Sequence, residues 1–145
     1  MIAIGCDHAG FDLKKDVIKL LKEKNYEVID LGCDGESVDY PVIAKKVCEK
    51  VADGSCEKGI LICGTGIGMS IAANKVKGIR AAVCSEHFSA KYTRLHNDSN
   101  VLCMGARTIG AGLALELAEI FVTTEFEGGR HQRRLDLITD IENNN

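Results

Sequence analysis

Several short stretches of this chain carry side chains that could do chemistry. Cys63 stands directly before Gly64-Thr65-Gly66-Ile67-Gly68-Met69-Ser70. Glycine at every second position lets backbone N–H groups turn inward unobstructed. With a helix N-terminus behind it, such a turn makes a concavity that favours negative charge. A thiol in this position is where a thiolate is favoured near neutral pH. If a sugar carbon were held against it, the sulfur could remove a proton while the loop amides stabilise the resulting oxyanion. Asp7 and His8 set an acid beside an imidazole, able to hold hydroxyls and an anion, although an aspartate there is also an ordinary N-cap. His96, in Arg94-Leu95-His96-Asn97-Asp98, offers a group that gives and takes protons at working pH. Arg130 and Arg134 are one turn apart and share a helix face, and with Arg107 they could grip a phosphate. A solvated basic turn is the other reading of that motif.

The same stretches exclude much. The glycine turn is not followed by Gly-Lys-Ser/Thr, so it is no P-loop, and Met69 occupies the third glycine's place in a dinucleotide fingerprint. Glu86 does stand about where such a fold puts its ribose-binding acid, which keeps a non-catalytic nucleotide-binding module open as an alternative. The seven cysteines, at 6, 33, 48, 56, 63, 84 and 103, are odd in number and never form a CxxC pair. Apart from Cys63 they read as small hydrophobes in a reduced protein. No metal-ligand cluster is evident, so neither a metal nor a cofactor is expected. Together, an anion grip, a backbone oxyanion hole, a thiolate base and a histidine acid/base suit a small phosphorylated polyol. Aldose–ketose isomerisation through an enediolate is chemistry that these parts support without a cofactor.

Such residues need a scaffold. The chain has 145 residues, a net charge of −3, 46% hydrophobic and 27% charged residues and a single proline, which describes one folded domain spanning 1–145. Runs at Met1–Gly5, Glu27–Leu31, Gly59–Cys63, Ile79–Cys84 and Asn100–Met104 are short, apolar and without clean alternation, as in strands buried on both faces. Helical patterns lie between them: Leu13, Val17, Ile18 and Leu21 with Lys14 and Lys15 toward the other side; Ile43, Val47 and Val51 after Pro41; and Ile71 to Val76, Phe88 to Leu95 and Leu113 to Val122. An amphipathic stretch, 130–141, follows as a last helix before a frayed tail. The alternation predicts an α/β fold, a three-layer α/β/α sandwich around a Rossmann-like five-stranded parallel sheet, with ligands beyond the carboxyl ends of the strands. No apolar run approaches the ~18 residues of a membrane span. The acidic balance and the lack of interleaved aromatics speak against nucleic acid or an anionic membrane as partner. Met1–Gly5 begins as a strand with neither a basic n-region nor a cleavage site, so no secretory leader is expected and the cytoplasm is the expected location.

These blocks resemble the type B ribose-5-phosphate isomerase family, which includes isomerases of allose and galactose 6-phosphates. The resemblance runs essentially end to end: Gly5-Cys6-Asp7-His8-Ala9-Gly10-Phe11, Asp39-Tyr40-Pro41, Gly64-Thr65-Gly66-Ile67-Gly68, Asn74-Lys75, Gly78-Ile79-Arg80-Ala81, His96-Asn97-Asp98 and Glu127-Gly128-Gly129-Arg130-His131. It implies a homodimer, sometimes paired into a dimer of dimers, with active sites between subunits. By resemblance, Cys63 is the base that moves a proton between C2 and C1 and the amides of Gly64, Gly66, Ile67 and Gly68 form the anion hole. Thr65 handles the substrate oxygens, while His96 opens the furanose ring with Asp7 orienting the sugar. Tyr40 and Asn97 are sugar contacts, and His8, Arg107, Arg130 and Arg134 hold the phosphate. One branch of the family uses a glutamate just after the glycine loop as base; Met69 stands there, which assigns this chain to the cysteine branch. The galactose branch needs two different chains, whereas this one carries cysteine, histidine and arginines together. The substrate expected is ribose 5-phosphate, with allose 6-phosphate as the alternative.

Overall fold

The computed structural model describes residues 1–145. Its strands are β1 (Ile2–Cys6), β2 (Val28–Asp30), β3 (Lys58–Cys63), β4 (Ala81–Val83) and β5 (Val101–Gly105), and its helices are α1 (Phe11–Glu23), α2 (Tyr40–Ala52), α3 (Ile67–Ala73), α4 (His87–Asn97), α5 (Ala111–Thr123) and α6 (Arg130–Asn143). All strand pairs are parallel, in the order β2-β1-β3-β5-β4. The predicted α/β/α sandwich is therefore the fold. No helix is long and apolar enough to cross a membrane.

Successive strand residues point to opposite faces, and the two faces differ. Ile2, Ile4, Ile60, Ile62, Leu102 and Met104 fill the side covered by α1, α4 and α5. Ala3, Leu61, Cys63, Val101 and Cys103 face α2 and α3. The second side uses smaller residues because its helix lies closer: a Cβ on Gly59 would come within 2.8 Å of Val47 Cγ1. Cys63 thus belongs to the thinner layer and ends its strand opposite Gly105.

Some details differ from the sequence expectation. Helix α3 begins and ends earlier than the Ile71–Val76 pattern suggests. Gly66 adopts a left-handed conformation, φ +79°, that starts the helix at once, and the Asn74 side chain, bonded to Ser70 O and to both backbone groups of Ala81, ties its end to β4. Lys14, read as solvent-facing, is buried; its Nζ donates to Asp30 Oδ1 at 2.8 Å and to the Cys33 carbonyl. It holds the chain after β2 against the end of β1.

Helix direction decides where the functional residues go. Each helix after a parallel strand runs back toward the sheet's amino edge, so α4 ends beside the starts of β3 and β5. Arg80, just before β4, donates to the carbonyls of Asn97 and Asp98, Glu127 N–H donates to Leu95 O, and Lys58 Nζ donates to Val122 O. The end of α4 and the start of α6 therefore lie at that edge. From it to the Cys63 edge is roughly 15 Å, at about 3.3 Å per strand residue.

Gly105 is the tightest junction between fold and loop: a Cβ there would lie 2.6 Å from the Thr65 carbonyl carbon. Gly105→Ala is expected to cost about 1–3 kcal/mol through overpacking, read as a Tm lower by several degrees, and to reduce turnover by displacing Thr65. An unchanged melting curve and rate would contradict this packing account.

Candidate active site

At the carboxyl edge, β3 delivers Cys63 into a turn braced on the end of β5. Ala106 N–H donates to Cys63 O at 2.8 Å and Arg107 N–H to Gly64 O at 3.0 Å. The turn folds back on the sulfur, and Gly66 N–H donates to Cys63 Sγ at 3.1 Å. Only glycine fits position 66, because φ is +79° and a Cβ would lie 2.8 Å from the Met104 carbonyl carbon. Thr65 Oγ1 accepts from Ile67 N–H at 3.2 Å. The N–H groups of Gly64, Thr65 and Gly68 have no acceptor within the chain, so they are free to face an anion. The Tyr40 ring lies over Gly68, where a Cβ would meet Cε1 at 2.6 Å, and Arg107 lies against Gly64. Asp7, at the neighbouring strand end, is buried and N-caps the short turn His8–Gly10, its Oδ1 accepting from Ala9 N–H at 2.9 Å. One carboxylate oxygen is thereby committed to the backbone. His8 beside it is exposed.

Cys63 is buried like the other six cysteines and differs from them in ending its strand at the glycine turn. All seven are free. Burial pushes the thiols of Cys6 and Cys48 up to about 12 and that of Cys84 to about 11, and raises Cys103 well above the usual range. These side chains are packing atoms, as expected. The turn after Cys63 combines exposed Thr65 with backbone amides that have no acceptor within the chain.

A second cluster occupies the amino edge. His96 and Asn97 end α4, while Arg130 and Arg134 lie in the first turns of α6, all beside Glu127 and His131. The His96 and His131 rings stack with centroids 4.0 Å apart and planes 15° from parallel, and Tyr92 meets His96 edge-on at 5.0 Å. Glu127 reaches both rings: Oε2 is 3.7 Å from His96 Nε2 and Oε1 is 3.7 Å from His131 Nε2. The His131 imidazole is pushed below its ordinary value, first by burial and next by His96, with Arg130 and Arg134 acting in the same sense and Glu127 against them.

One chain therefore unites Asp7, His8, Tyr40, Cys63, Gly64, Thr65, Gly66, Ile67, Gly68 and Arg107 at one edge. It carries His96, Asn97, Arg130 and Arg134 at the other, so the expected phosphate grip is divided between the two. Sequence reasoning passed over Glu127 and His131, whose signal was only their place in the Glu127–Arg134 run. The nucleotide alternative loses its acid, since the Glu86 carboxylate accepts from Ser89 N–H and caps α4. His96, Glu127 and His131 are the one group of potential metal ligands, with donor atoms within 4.8 Å of one another. Stacked rings aim their in-plane lone pairs side by side instead of at one point, and two arginines flank them. The group suits hydrogen bonding better than a cation.

Comparison with known proteins matches the whole fold. Residues 2–138 match the family model described as Ribose/Galactose Isomerase. The chain is 52% identical to ribose-5-phosphate isomerase B of Escherichia coli (strain K12) over 142 residues, covering 97% of this chain and 95% of that protein. It superposes on the Clostridium thermocellum ribose-5-phosphate isomerase B structure with a TM-score of 0.96 at 51% identity, covering 99% and 97% of the two chains. It matches the Mycoplasma genitalium ribose-5-phosphate isomerase B with bound ribulose-5-phosphate at a TM-score of 0.95 and 42% identity, covering 99% and 97%. A matched fold and relatives covered nearly end to end lead to one assignment: this chain belongs to the ribose/galactose isomerase family.

Proposed function

We propose that this protein interconverts D-ribose 5-phosphate and D-ribulose 5-phosphate by proton transfer through an enediolate, needing no cofactor, at sites shared between two copies of the chain. The observation that carries the reading is the Cys63 turn, where a sulfur meets the Gly66 N–H at 3.1 Å beside free backbone donors. The ribulose-5-phosphate held by the Mycoplasma relative supports the substrate. In the forward direction, His96 takes the C1 hydroxyl proton and returns it to the ring oxygen as the C1–O bond of the ring breaks and the C1 carbonyl forms, with Asp7 orienting the sugar. Cys63 Sγ then takes the C2 proton, and the electron pair moves onto the C1 carbonyl oxygen, where the loop amides meet it. Delivery of that proton to C1, with loss of the C2 hydroxyl proton, yields the ketose; Thr65 Oγ1 is beside the oxygens that exchange it. The acid acts at the ring oxygen and the base at C2 of one sugar, and holding both in place lowers the entropic part of the barrier.

The roughly 15 Å between the clusters exceeds the length of a pentose phosphate, which supports a two-fold dimer. One copy's Cys63 turn faces the partner's His96, Asn97, Arg130 and Arg134. Isologous contact repeats this pairing twice. Ile67, Ile71, Val83 and Phe88 are large apolar side chains left 55%, 59%, 43% and 66% exposed around edge strand β4 and both clusters, and they suit such an interface. Seven free cysteines fit a reducing compartment, which supports the cytoplasm.

Cys63→Ala is expected to lower kcat by about a hundredfold or more while ribulose 5-phosphate still binds by calorimetry; near-normal turnover would remove Cys63 as the base. Arg134→Ala is expected to raise KM about tenfold or more with kcat little changed, as for a contact made equally in ground and transition states. The shared site has its own test. Cys63→Ala and His96→Asn chains, each inactive alone, are unfolded together in equal amounts and refolded. Random pairing makes half the dimers mixed, and one of the two sites in each mixed dimer is intact. About a quarter of wild-type activity should return; none would mean that each site lies within one chain.

A further inference from the structure

We propose that His131, with Glu127, is the positioning element for His96: the buried face of His131 fixes the plane of the His96 ring, and the Glu127 carboxylate balances the charge that His96 carries during ring opening. This rests on the reading of His96 as the ring-opening group and adds residues that act through it.

The geometry is specific. The His131 side chain is 4% exposed, and its Nε2 is the one buried side-chain polar atom in the protein without a hydrogen-bond partner. An apolar side chain would fill that space without an orphaned nitrogen. What an imidazole adds is a flat face, and His96 lies on it at 4.0 Å and 15°. Tyr92 meets His96 edge-on at 5.0 Å, and Phe88 stacks on Tyr92 at 4.2 Å. A ring held between two aromatic neighbours has little freedom at χ2. The platform is itself fixed: Glu127 N–H bonds to Leu95 O at 3.0 Å, and His131 N–H closes the Gly128 turn at 3.2 Å.

Charge then follows from position. Two imidazoles face to face cannot both be protonated at low cost. His131 is the buried member and has Arg130 and Arg134 on its own helix, so it stays neutral. His96, half-exposed on α4, takes the proton, and Glu127 waits 3.7 Å from its Nε2, a short side-chain movement from a charge-assisted hydrogen bond. The neutral ring beneath presents a π face to the cation that forms.

Ring opening and enolisation can be read separately. Conversion of ribose 5-phosphate needs both steps, whereas exchange of a C1 hydrogen of ribulose 5-phosphate with D2O needs only Cys63 and the loop. In His131→Gln, conversion should fall about tenfold to a hundredfold, the scale of a misplaced catalytic group, while C1 exchange followed by NMR stays within about twofold. His131→Phe keeps the flat face and should hold conversion within about threefold of wild type. Parallel loss of conversion and exchange in His131→Gln would mean that His131 is merely structural, and retention of both would mean that it does nothing; either overturns the proposal, as does selective loss of conversion in His131→Phe. His96→Asn separates this from the underlying reading. If that variant loses exchange as fully as conversion, or loses neither, His96 does not open the ring, whatever His131 does.

Discussion

A helix that follows a parallel strand must return to the edge the strand came from, and the chemistry of this protein is arranged around that reversal. Residues at strand ends stay at the carboxyl edge, so Asp7, Cys63 and Arg107 gather there. Residues at helix ends go to the opposite edge, so His96 and Asn97 leave β4 and travel the length of α4 away from the sulfur. The connection after α5 then brings Glu127 and α6 to the same end, beside Leu95. Nothing in the sheet can bend the two groups together, since β3 and β5 are paired from Gly59–Val101 to Cys63–Gly105. A second copy turned end for end is the simplest way to bring such edges face to face.

The glycine turn after Cys63 is made by removal of side chains as much as by any hydrogen bond. Gly66 and Gly105 let the turn and the end of β5 approach to distances that a Cβ on either would forbid, and Gly68 leaves room for the Tyr40 ring. Backbone amides therefore reach the sulfur and the space above it with no side chain between. The same close approach explains the residue sizes beneath: α2 and α3 cover a layer of Ala3, Gly59, Cys63 and Cys103, whereas the other face accommodates isoleucine, leucine and methionine. Cysteine at 63 is small enough for that layer, and unlike Cys103 it stands at its strand's end beside the turn. Packing and reactivity ask for the same residue.

Most of this was legible in the sequence wherever a local pattern carried it. Apolar runs marked every strand, and the starts of α2 and α6 were signalled by Pro41 and by the Arg130 run. The glycine turn declared itself because alternating glycines have few other uses. What escaped was set by neighbours distant along the chain. Lys14 reads as a solvent-facing helix residue, yet burial against the chain after β2 turns its ammonium toward Asp30 and Cys33. Glu86 stood at a suggestive spacing, but its carboxylate is spent on the first turn of α4. His131 was hidden in a basic run whose other members face solvent; only α6 packing against α4 makes it the buried one. The division of the site could be read from topology once strand and helix order were known, but no single motif announces it.

Placing His96 accurately at the far edge needs α4 held from outside the helix, beyond the partners that Glu127 N–H and Arg80 Nε supply to the Leu95 and Asn97 carbonyls. Arg94 supplies the anchor. Its guanidinium is buried: Nε donates to Thr124 O at 2.9 Å, and the same side chain donates to Ser99 O and, at 2.8 Å, to Asp98 Oδ1. The Asp98 carboxylate in turn accepts from Arg80, and Asp98 itself turns the chain at φ 44°. One planar cation thus ties the end of α4 to the segment just before β5 and to the segment that leads on to Glu127. A lysine would bring a single point charge on a flexible stem and could not satisfy these acceptors in one plane. The placement of His96 is therefore set two residues earlier, by a side chain that points away from it into the protein.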